Sequence, residues 1–339
     1  MLIEEITALD DLESLREEWS ALCDRSPRAT PFQRPEWLIS WCRAFRPGEP
    51  WVLAVRRAGR LAALAPLLVY PNQGKRTVAF CGGGVSDYCD VVTDPDGEDA
   101  AVGALLAHLA ARRDRWEVAD FEPVPGESPL LRNAPDGLDT QTGLRDVCPG
   151  LDLPDRIEDL RDVVPTRQLA NLRKYRRKAE ALGELRLQTV ADRPWEELLD
   201  LLLHLHGARW QELGEAGMLG GDGLRTFHRE VAAGFHARGR LGLYALCLDG
   251  HPLAALYGFR EKDAFFCYMQ GFDPDHARLS PGVMVVGGVI EDVIRRGIRR
   301  LDFLRGCEAY KYAWGARDRE TFRRTLALNP PRSSSARGG

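Results

Sequence analysis

The first half of the chain alternates segments with strand-like and helix-like hydrophobic patterns. Short apolar runs predict strands, and apolar residues that recur every three or four positions predict helices. The predicted strands are Leu2–Ile6, Trp51–Arg56, Arg60–Val69, Thr77–Phe80 and Trp116–Phe121, and the predicted helices are Leu12–Cys23, Pro35–Phe45 and Glu98–Arg112. The Pro- and Gly-rich stretch Glu122–Gly150 then interrupts the pattern, which indicates a domain boundary near residue 150.

The second half of the chain repeats this order of elements. Its predicted helices are Pro165–Leu182, Trp195–Leu213, Gly223–Arg238, Ser280–Arg296 and Glu308–Trp314, and its predicted strands are Leu185–Val190, Leu241–Leu248, Leu253–Glu261, Ala264–Phe272, Arg300–Leu304 and Thr321–Leu328. Each half therefore has helices, an antiparallel run of strands, a further helix and further strands. This repeat predicts an α+β fold of two similar domains, residues 1–150 and 151–328, with a disordered tail at 329–339.

Composition narrows the classes of function. The chain has 339 residues and a formal net charge of −4, so any phosphate or nucleic-acid site has to be a local basic patch. No signal-like or membrane-spanning apolar run is present. The eight cysteines include no CxxC pair, which favours reduced thiols in a cytoplasmic protein. No metal-ligand spacing is visible, and the pairs His204/His206 and His228/His236 are expected on helix surfaces.

The start of the predicted helix at 280–296 has the features of an anion site. Ser280 is a favoured N-cap, and Pro281 is favoured as the first helical residue. Arg278 lies just upstream, and the first turn contains no acidic residue. Its next residues are Gly282, Val283 and Met284. Backbone N–H groups without a partner, next to an arginine, favour the binding of a phosphate or pyrophosphate. The alternative interpretation is an ordinary, well-capped core helix.

A second candidate segment contains a carboxylate in an apolar strand. Asp302 lies within Arg300–Leu304, and a buried carboxylate needs a partner, which Arg305 or Lys311 can supply. A structural ion pair and a catalytic role both stay open.

Two further segments also allow two interpretations. The helix at 165–182 carries a cluster of cations, which forms either a solvated face or a contact for nucleotide phosphates or an acidic partner. These cations are Arg173, Lys174, Arg176, Arg177 and Lys178.

The glycine-rich loop at 82–90 contains Asp87, Tyr88 and Asp90, and it is either a surface loop or a wall of the active cleft. No motif for a covalent nucleophile or a nucleotide-binding glycine loop is present.

Four motifs in the second half resemble one known family. They are Tyr268-Met-Gln-Gly-Phe-Asp-Pro, Ser280-Pro-Gly, Asp302-Phe-Leu-Arg-Gly and Tyr310-Lys-Tyr-Ala-Trp-Gly. In this order they resemble the CelD/BcsL-like acetyltransferases of the GNAT superfamily, also called BioF2-like acetyltransferase domains, which are related to the FemAB peptidyltransferases. Pro31-Phe-Gln-Arg-Pro-Glu-Trp and Asp87-Tyr-Cys-Asp are similar as well. The resemblance extends from about residue 30 to 328.

The resemblance implies two tandem GNAT-like domains with mixed central sheets flanked by helices. It places the active site in the cleft and most of the acyl-donor site in the second domain. It implies N-acyl transfer from acyl-CoA, such as acetyl-CoA, to an amine by direct attack in a ternary complex, without a metal. The usual pyrophosphate loop is Gln/Arg-x-x-Gly-x-Gly/Ala, whereas this chain has Arg278-Leu-Ser-Pro-Gly-Val, so Pro281 replaces the first glycine.

The resemblance also suggests roles for individual residues. The proton acceptor is expected to be Asp302 or Glu308, and Tyr268 or Tyr310 is expected to protonate the leaving thiolate. Lys311 and Arg305 are expected to balance negative charge. The expected donor site is Arg278, Ser280, Gly282, Val283 and Met284, and the expected substrate cleft is lined by Asp87, Tyr88, Asp90, Arg305 and Trp314.

Two rival functions stay open at this point. A FemAB-like peptidyltransferase would take its acyl group from aminoacyl-tRNA, and the basic helix at Arg173–Lys178 is the feature that bears on it. The second rival function is that of a non-catalytic GNAT-like module in a polysaccharide-synthesis system. The expected acceptor is a small molecule or a cell-envelope or polysaccharide precursor, and tRNA is a partner only under the first rival.

Overall fold

A computed structural model describes residues 1–46, 48–135, 137–212 and 222–328. The chain forms two compact units. Met1–Asp146 and Glu320–Leu328 make up the N-terminal unit, and Val147–Arg319 make up the central unit. The predicted tail at 329–339 lies outside the described residues. Within the described part of the chain, no helix is both long and apolar enough to cross a membrane.

The helices and strands follow one another in the order that the hydrophobic pattern indicates. Those of the N-terminal part are β1 (Leu2–Ile6), α1 (Leu9–Ser14), α2 (Arg16–Arg25), α3 (Pro35–Phe45), β2 (Glu49–Pro50), β3 (Val52–Arg57), β4 (Arg60–Ala65), β5 (Leu67–Asn72), β6 (Lys75–Phe80), β7 (Val92–Thr93), α4 (Glu98–Ala111), β8 (Val118–Pro125), α5 (Pro129–Arg132) and β9 (Leu138–Val147). The remainder are β10 (Gly150–Asp152), α6 (Thr166–Glu180), β11 (Leu185–Thr189), α7 (Trp195–Glu212), α8 (Asp222–Ala237), β12 (Leu241–Leu248), β13 (His251–Glu261), β14 (Ala264–Phe272), α9 (Pro281–Arg295), β15 (Arg300–Asp302), α10 (Ala309–Ala313) and β16 (Glu320–Leu328). Short 3-10 helices cover Pro31–Gln33, Ile157–Asp162 and Pro274–Leu279.

The N-terminal unit contains two sheets, with strand orders β1-β3-β4-β7 and β2-β5-β6-β8-β16-β9. β3 and β4 form a hairpin across Ala58-Gly59, where both turn residues have positive φ. The predicted strand Arg60–Val69 is instead split at Pro66 into β4 and β5, which lie in different sheets. Proline has no N–H for a ladder hydrogen bond, which explains the break there.

Two strands of this unit differ from the sequence prediction. β9 occupies part of the stretch Glu122–Gly150 that the pattern assigned to a break, and its side chains are mostly exposed at the sheet edge. β16 pairs with β8 and therefore belongs to the sheet of the N-terminal unit. The predicted second domain, 151–328, differs from the central unit mainly by this last strand.

The central unit is built on one six-stranded sheet with the order β10-β15-β14-β13-β12-β11. All neighbouring strands are antiparallel except β14 and β15, which are parallel. Helices cover both faces. Tyr244 of β12 donates a hydrogen bond to Asp292 of α9 at 2.9 Å on one face, and Phe235 of α8 packs on Phe259 of β13 on the other, with ring centroids 4.5 Å apart.

The two glycines in the middle of α9 allow close packing of neighbouring elements. A Cβ atom on Gly287 would lie 2.6 Å from Leu172 of α6, and one on Gly288 would lie 2.9 Å from Leu187 of β11. Burial of these leucines against the helix backbone offsets the cost of about 1 kcal/mol for each helical glycine. The Gly-Gly pair is therefore explained by packing, and a ligand is not needed to account for it.

Candidate active site

Strands β14 and β15 diverge in the middle of the central sheet. Their parallel pairing runs from Ala264↔Arg300 to Phe266↔Asp302, where β15 ends. β14 continues to Phe272 and stays paired with β13 on its other side. The segment from Cys267 to Phe272 therefore has one edge that β15 does not cover. Backbone groups on a strand edge that the neighbouring strand does not cover can bind a ligand by main-chain hydrogen bonds.

The start of α9 lies directly after this strand and a 3-10 helix. Pro281 is its first residue, as predicted. The predicted capping by the Ser280 hydroxyl is wrong: Ser280 adopts a left-handed conformation with φ 54°, and its side chain makes no cap hydrogen bond. Its carbonyl oxygen accepts instead from the N–H groups of Val283 and Met284, at 3.1 and 3.4 Å. The Ser280 hydroxyl is therefore not engaged in capping the helix.

The other residues of the predicted donor site differ in accessibility. Arg278 is exposed and has no hydrogen bond or ion pair within the described residues. Gly282 is half-buried, with open space where a Cβ would be. Val283 is half-buried and packs against the core of the unit. Met284 is 1% exposed, so only its backbone is near the helix start.

The loop between β15 and α10 is folded around the buried ammonium group of Lys311. Lys311 Nζ donates to the carbonyl oxygens of Leu304, Arg305 and Gly306, at 2.9, 2.7 and 3.1 Å. Leu304 and Gly306 both have positive φ, which turns these carbonyls toward one point. Nζ also lies 2.9 Å from Glu308 Oε2. The lysine side chain is 2% exposed, and its charge is balanced by three backbone dipoles and one carboxylate.

The two predicted proton acceptors have different environments. Asp302 is 1% exposed, and its Oδ1 accepts a hydrogen bond from the Leu304 N–H at 2.9 Å, so it shapes the loop. The Glu308 side chain is 57% exposed, although one of its oxygens is held by Lys311. A Cβ on Gly306 would lie 2.6 Å from Glu308 Oε2, so the carboxylate lies directly over this glycine. Of the two, Glu308 is the carboxylate that a substrate amine can reach.

Cys267, the first residue of β14 beyond its pairing with β15, has a thiol side chain. Burial raises the pKa of Cys267 on β14, and the nearby Asp302 carboxylate raises it further, while Lys311 opposes this. These interactions place the three side chains close together. The thiol therefore stays protonated at neutral pH and is not suited to be a nucleophile.

The two predicted proton donors lie on different elements. Tyr310 is 37% exposed, and its ring meets Phe303 edge-on at 6.1 Å between centroids. Tyr268 is half-buried on β14 and packs on Tyr257 and His228 at 5.9 and 5.5 Å. Trp314 lies in the core cluster of the unit at 2% exposure, and Arg305 is half-buried in the β15–α10 loop.

The sequence prediction of surface positions for two histidines is wrong. His206 and His228 are 8% and 1% exposed, because both face the sheet from α7 and α8. His206 Nδ1 lies 3.1 Å from the Gln270 carbonyl oxygen. Burial lowers the pKa of His228 to about 3, with a smaller contribution from His206, so its imidazole is neutral at pH 7. His204 and His236 are exposed, as expected.

The candidate cleft residues Asp87, Tyr88 and Asp90 belong to the N-terminal unit. Tyr88 is 6% exposed, and its carbonyl oxygen accepts from Gln33 Nε2 at 2.8 Å. Burial raises the pKa of Asp90 to about 7, although hydrogen bonds from Ser128 and Val91 act in the opposite direction. Tyr88 and Asp90 are thus buried components of this unit, and Asp87 is half-buried.

The basic helix α6 presents most of its charges to solvent. Arg176 differs, because it forms a two-pronged ion pair with Glu291 of α9 at 2.7 and 3.0 Å. Four other cations are exposed and have no ion pair within the described residues: Arg173, Lys174, Arg177 and Lys178. Leu172 and Ala179 form the buried side of the helix.

The central unit is thus an α+β domain in which the pairing of two parallel strands ends beside the start of a helix. Residues 166–312 match the family model described as "Acetyltransferase (GNAT) domain". The chain matches no curated protein.

Solved structures with low sequence identity share the fold over almost the whole chain. The crystal structure of FemX is 14% identical with a TM-score of 0.67, covering 96% of this chain and 97% of that one. The C-terminal domain of a putative lysylphosphatidylglycerol synthetase from Agrobacterium fabrum is 13% identical with a TM-score of 0.58, covering 94% and 92%. A tandem GNAT protein from the clavulanic acid biosynthesis pathway is 19% identical with a TM-score of 0.50, covering 97% and 99%. The predicted α+β fold of tandem GNAT-like domains is confirmed.

Proposed function

We propose that the chain is an N-acyltransferase of the CelD/BcsL-like type that moves an acyl group from acyl-CoA to an amine. The observation that carries the proposal is that β14 continues from Cys267 to Phe272 beyond its pairing with β15, which leaves an edge that β15 does not cover, in the segment that leads to the start of α9 in the matched domain. A thioester carbonyl placed at this edge can accept hydrogen bonds from backbone N–H groups. Such groups stabilise the oxyanion that forms when the amine attacks.

The donor pyrophosphate is proposed to bind at the start of α9. Arg278 supplies an exposed positive charge, and the Gly282 N–H and the Ser280 hydroxyl are further donors. The left-handed conformation of Ser280 costs about 1–2 kcal/mol for a residue other than glycine. Strain of this kind is found where a loop is shaped for a ligand, which supports a role for this residue in donor binding.

The chemistry is a direct transfer without an enzyme-bound intermediate. The amine nitrogen attacks the thioester carbonyl carbon, a C–N bond forms, and the C–S bond breaks as the tetrahedral intermediate collapses. Glu308 accepts the proton that the amine loses, and Tyr310 protonates the departing thiolate. Lys311 acts as a positioning residue, because it holds the Glu308 carboxylate and the loop beneath it. Asp302 positions the same loop through Leu304.

The acceptor is proposed to be an amine on a small molecule or a cell-envelope or polysaccharide precursor. FemX and the lysylphosphatidylglycerol synthetase domain have the same fold, and the name of the second refers to a membrane lipid. The exposed Glu308 side chain is compatible with a large acceptor, since it does not lie in a closed cavity.

Calorimetric titration with acetyl-CoA and longer acyl-CoAs tests the donor class. Binding to the folded chain is expected to raise the melting temperature by mass action. Release of free CoA thiol in the presence of candidate amines then reports transfer. The proposal is abandoned if no acyl-CoA binds to a folded preparation.

Arg278→Ala is expected to weaken acyl-CoA binding by about 1–3 kcal/mol, the range for a hydrogen bond to a charged group. The helix start retains its backbone N–H groups, so binding should be reduced and not abolished. Calorimetry measures the affinity directly. Arg295→Ala is the matched control, because it removes an exposed charge from the opposite end of α9. Equal affinities in the two variants would contradict the assignment of the pyrophosphate site.

A second candidate function is peptidyl transfer from aminoacyl-tRNA. The observation that favours it is the row of exposed cations on α6 without ion-pair partners among the described residues. Positive charges on one helix face attract nucleic-acid phosphates in a salt-dependent manner.

The double substitution Lys174→Glu and Lys178→Glu tests this alternative. If tRNA is the donor, the variant should bind aminoacyl-tRNA at least tenfold more weakly, and its affinity should depend less steeply on salt. Lys75→Glu with Arg225→Glu is the control, since both residues are exposed elsewhere. Equal binding of tRNA by wild type and the α6 variant would count against the tRNA function.

A further inference from the structure

Two histidines and one carboxylate meet on the central unit, outside the candidate active site. His251 is the first residue of β13, Asp273 follows β14, and His276 lies in the 3-10 helix Pro274–Leu279. His251 Nε2 lies 3.0 Å from Asp273 Oδ2, and His276 Nδ1 lies 2.8 Å from the same oxygen. One donor atom from each side chain lies within 4.8 Å of the other two.

The carboxylate is held in place while the histidines are accessible. Asp273 Oδ1 accepts a hydrogen bond from the Asp275 N–H at 3.0 Å, which directs Oδ2 toward the imidazoles. The Asp273 N–H donates to the Leu253 carbonyl oxygen at 2.9 Å, so its backbone is also fixed. The side chains of Asp273, His276 and His251 are 16%, 36% and 57% exposed. An ion can therefore approach from solvent toward a carboxylate that is already oriented.

We propose that His251, Asp273 and His276 bind a divalent transition-metal ion, with Zn²⁺ the ion that fits best. Two imidazole nitrogens and one carboxylate oxygen form a donor set that Zn²⁺ and its neighbours in the first transition row favour. In tetrahedral coordination, bonds of about 2.0–2.1 Å place adjacent ligand atoms about 3.3–3.4 Å apart. The observed N···O separations of 3.0 and 2.8 Å approach this range after small side-chain rotations.

The spacing of these three residues along the sequence does not indicate a metal site. His251 precedes Asp273 by most of a β-hairpin, and only the antiparallel pairing of β13 with β14 brings the start of one strand to the end of the other. An ion bound here connects the start of β13 to the segment that leads into Arg278 and Ser280. Metal binding itself requires no assumption about acyl transfer, so it can be tested separately.

Titration of the full, untagged chain with ZnCl2 in a calorimeter is expected to show one saturable site. Co²⁺ is expected to occupy the same site, to give visible absorption bands typical of nitrogen and oxygen ligands, and to be displaced by Zn²⁺. His276→Ala and His251→Ala should each weaken Zn²⁺ binding at least tenfold. Both positions lie at the surface, so circular dichroism is expected to show an unchanged fold.

His204→Ala is the matched control, because it removes an exposed histidine from α7. Zn²⁺ should raise the melting temperature of wild type and of His204→Ala, and leave that of His276→Ala unchanged. Asp273→Asn, which can still accept the Asp275 hydrogen bond, should bind Zn²⁺ as weakly as His276→Ala. Failure of wild type to bind either ion saturably would overturn the proposal, as would equal Zn²⁺ affinity in His276→Ala and His204→Ala. In either outcome the imidazoles are only hydrogen-bond partners of Asp273.

Discussion

Replacement of Glu308 by glutamine is expected to lower the turnover of acyl transfer by about two to four orders of magnitude. The substitution removes the proposed proton acceptor and keeps the size of the side chain. Glu308 is 57% exposed and is ion-paired with Lys311 through Oε2, so the fold should survive the change. Donor affinity should be almost unaffected, because the start of α9 is untouched. Steady-state kinetics with saturating acyl-CoA, combined with donor calorimetry, separates the two quantities.

Asp302→Asn is the informative comparison for this experiment. Asp302 is 1% exposed and accepts a hydrogen bond from the Leu304 N–H, so its replacement should lower the melting temperature. It should reduce turnover less than Glu308→Gln does. Glu180→Gln serves as the neutral control, since Glu180 is exposed on α6. A larger rate loss in Asp302→Asn with unchanged stability would assign the proton acceptor to Asp302 and contradict the role proposed for Glu308.

The elements that the sequence predicted best are those whose apolar pattern matches their burial. α3 has the predicted bounds, Pro35–Phe45, and starts at a proline that suits the first helical turn. β12 likewise has the predicted bounds, and its inner residues are buried. β9 was missed because its exposed, mostly polar side chains carry no such pattern, and its pairing depends on the late strand β16. A partner strand that begins more than 170 residues later in the sequence leaves no local sign.

The sequence indicated which side chains belong to the candidate site. It did not indicate the backbone conformation that holds them. Glu308 and Lys311 were both singled out, and the structure brings them to 2.9 Å. Asp302 Oδ1 accepts a hydrogen bond from the Leu304 N–H, a backbone contact that the sequence pattern does not indicate. The three carbonyls around Lys311 depend on positive φ angles at Leu304 and Gly306. For a leucine, such an angle is set by the surrounding structure and not by local preference.

Replacement of Lys311 by methionine is expected to lower the free energy of unfolding of the chain. In Lys311→Met the carbonyls of Leu304, Arg305 and Gly306 lose their common donor, and Glu308 loses its partner. Buried acceptors without a donor cost about 1–3 kcal/mol each, but the loop can relax toward water, so we expect a loss of about 3 kcal/mol in the free energy of unfolding. Denaturant titration followed by circular dichroism measures this quantity.

Lys178→Met is the matched control for Lys311→Met, because the same change at an exposed lysine of α6 should alter stability by less than about 0.5 kcal/mol. Lys311→Arg tests the geometry. Its planar guanidinium cannot point three donors at carbonyls that converge on one atom, so retention of charge should restore only part of the stability. In Lys311→Met the Glu308 carboxylate is no longer held over Gly306, so turnover should fall together with stability. If Lys311→Met were as stable as Lys178→Met, the ammonium group would not be what holds the loop, and the positioning role of Lys311 beneath Glu308 would be wrong.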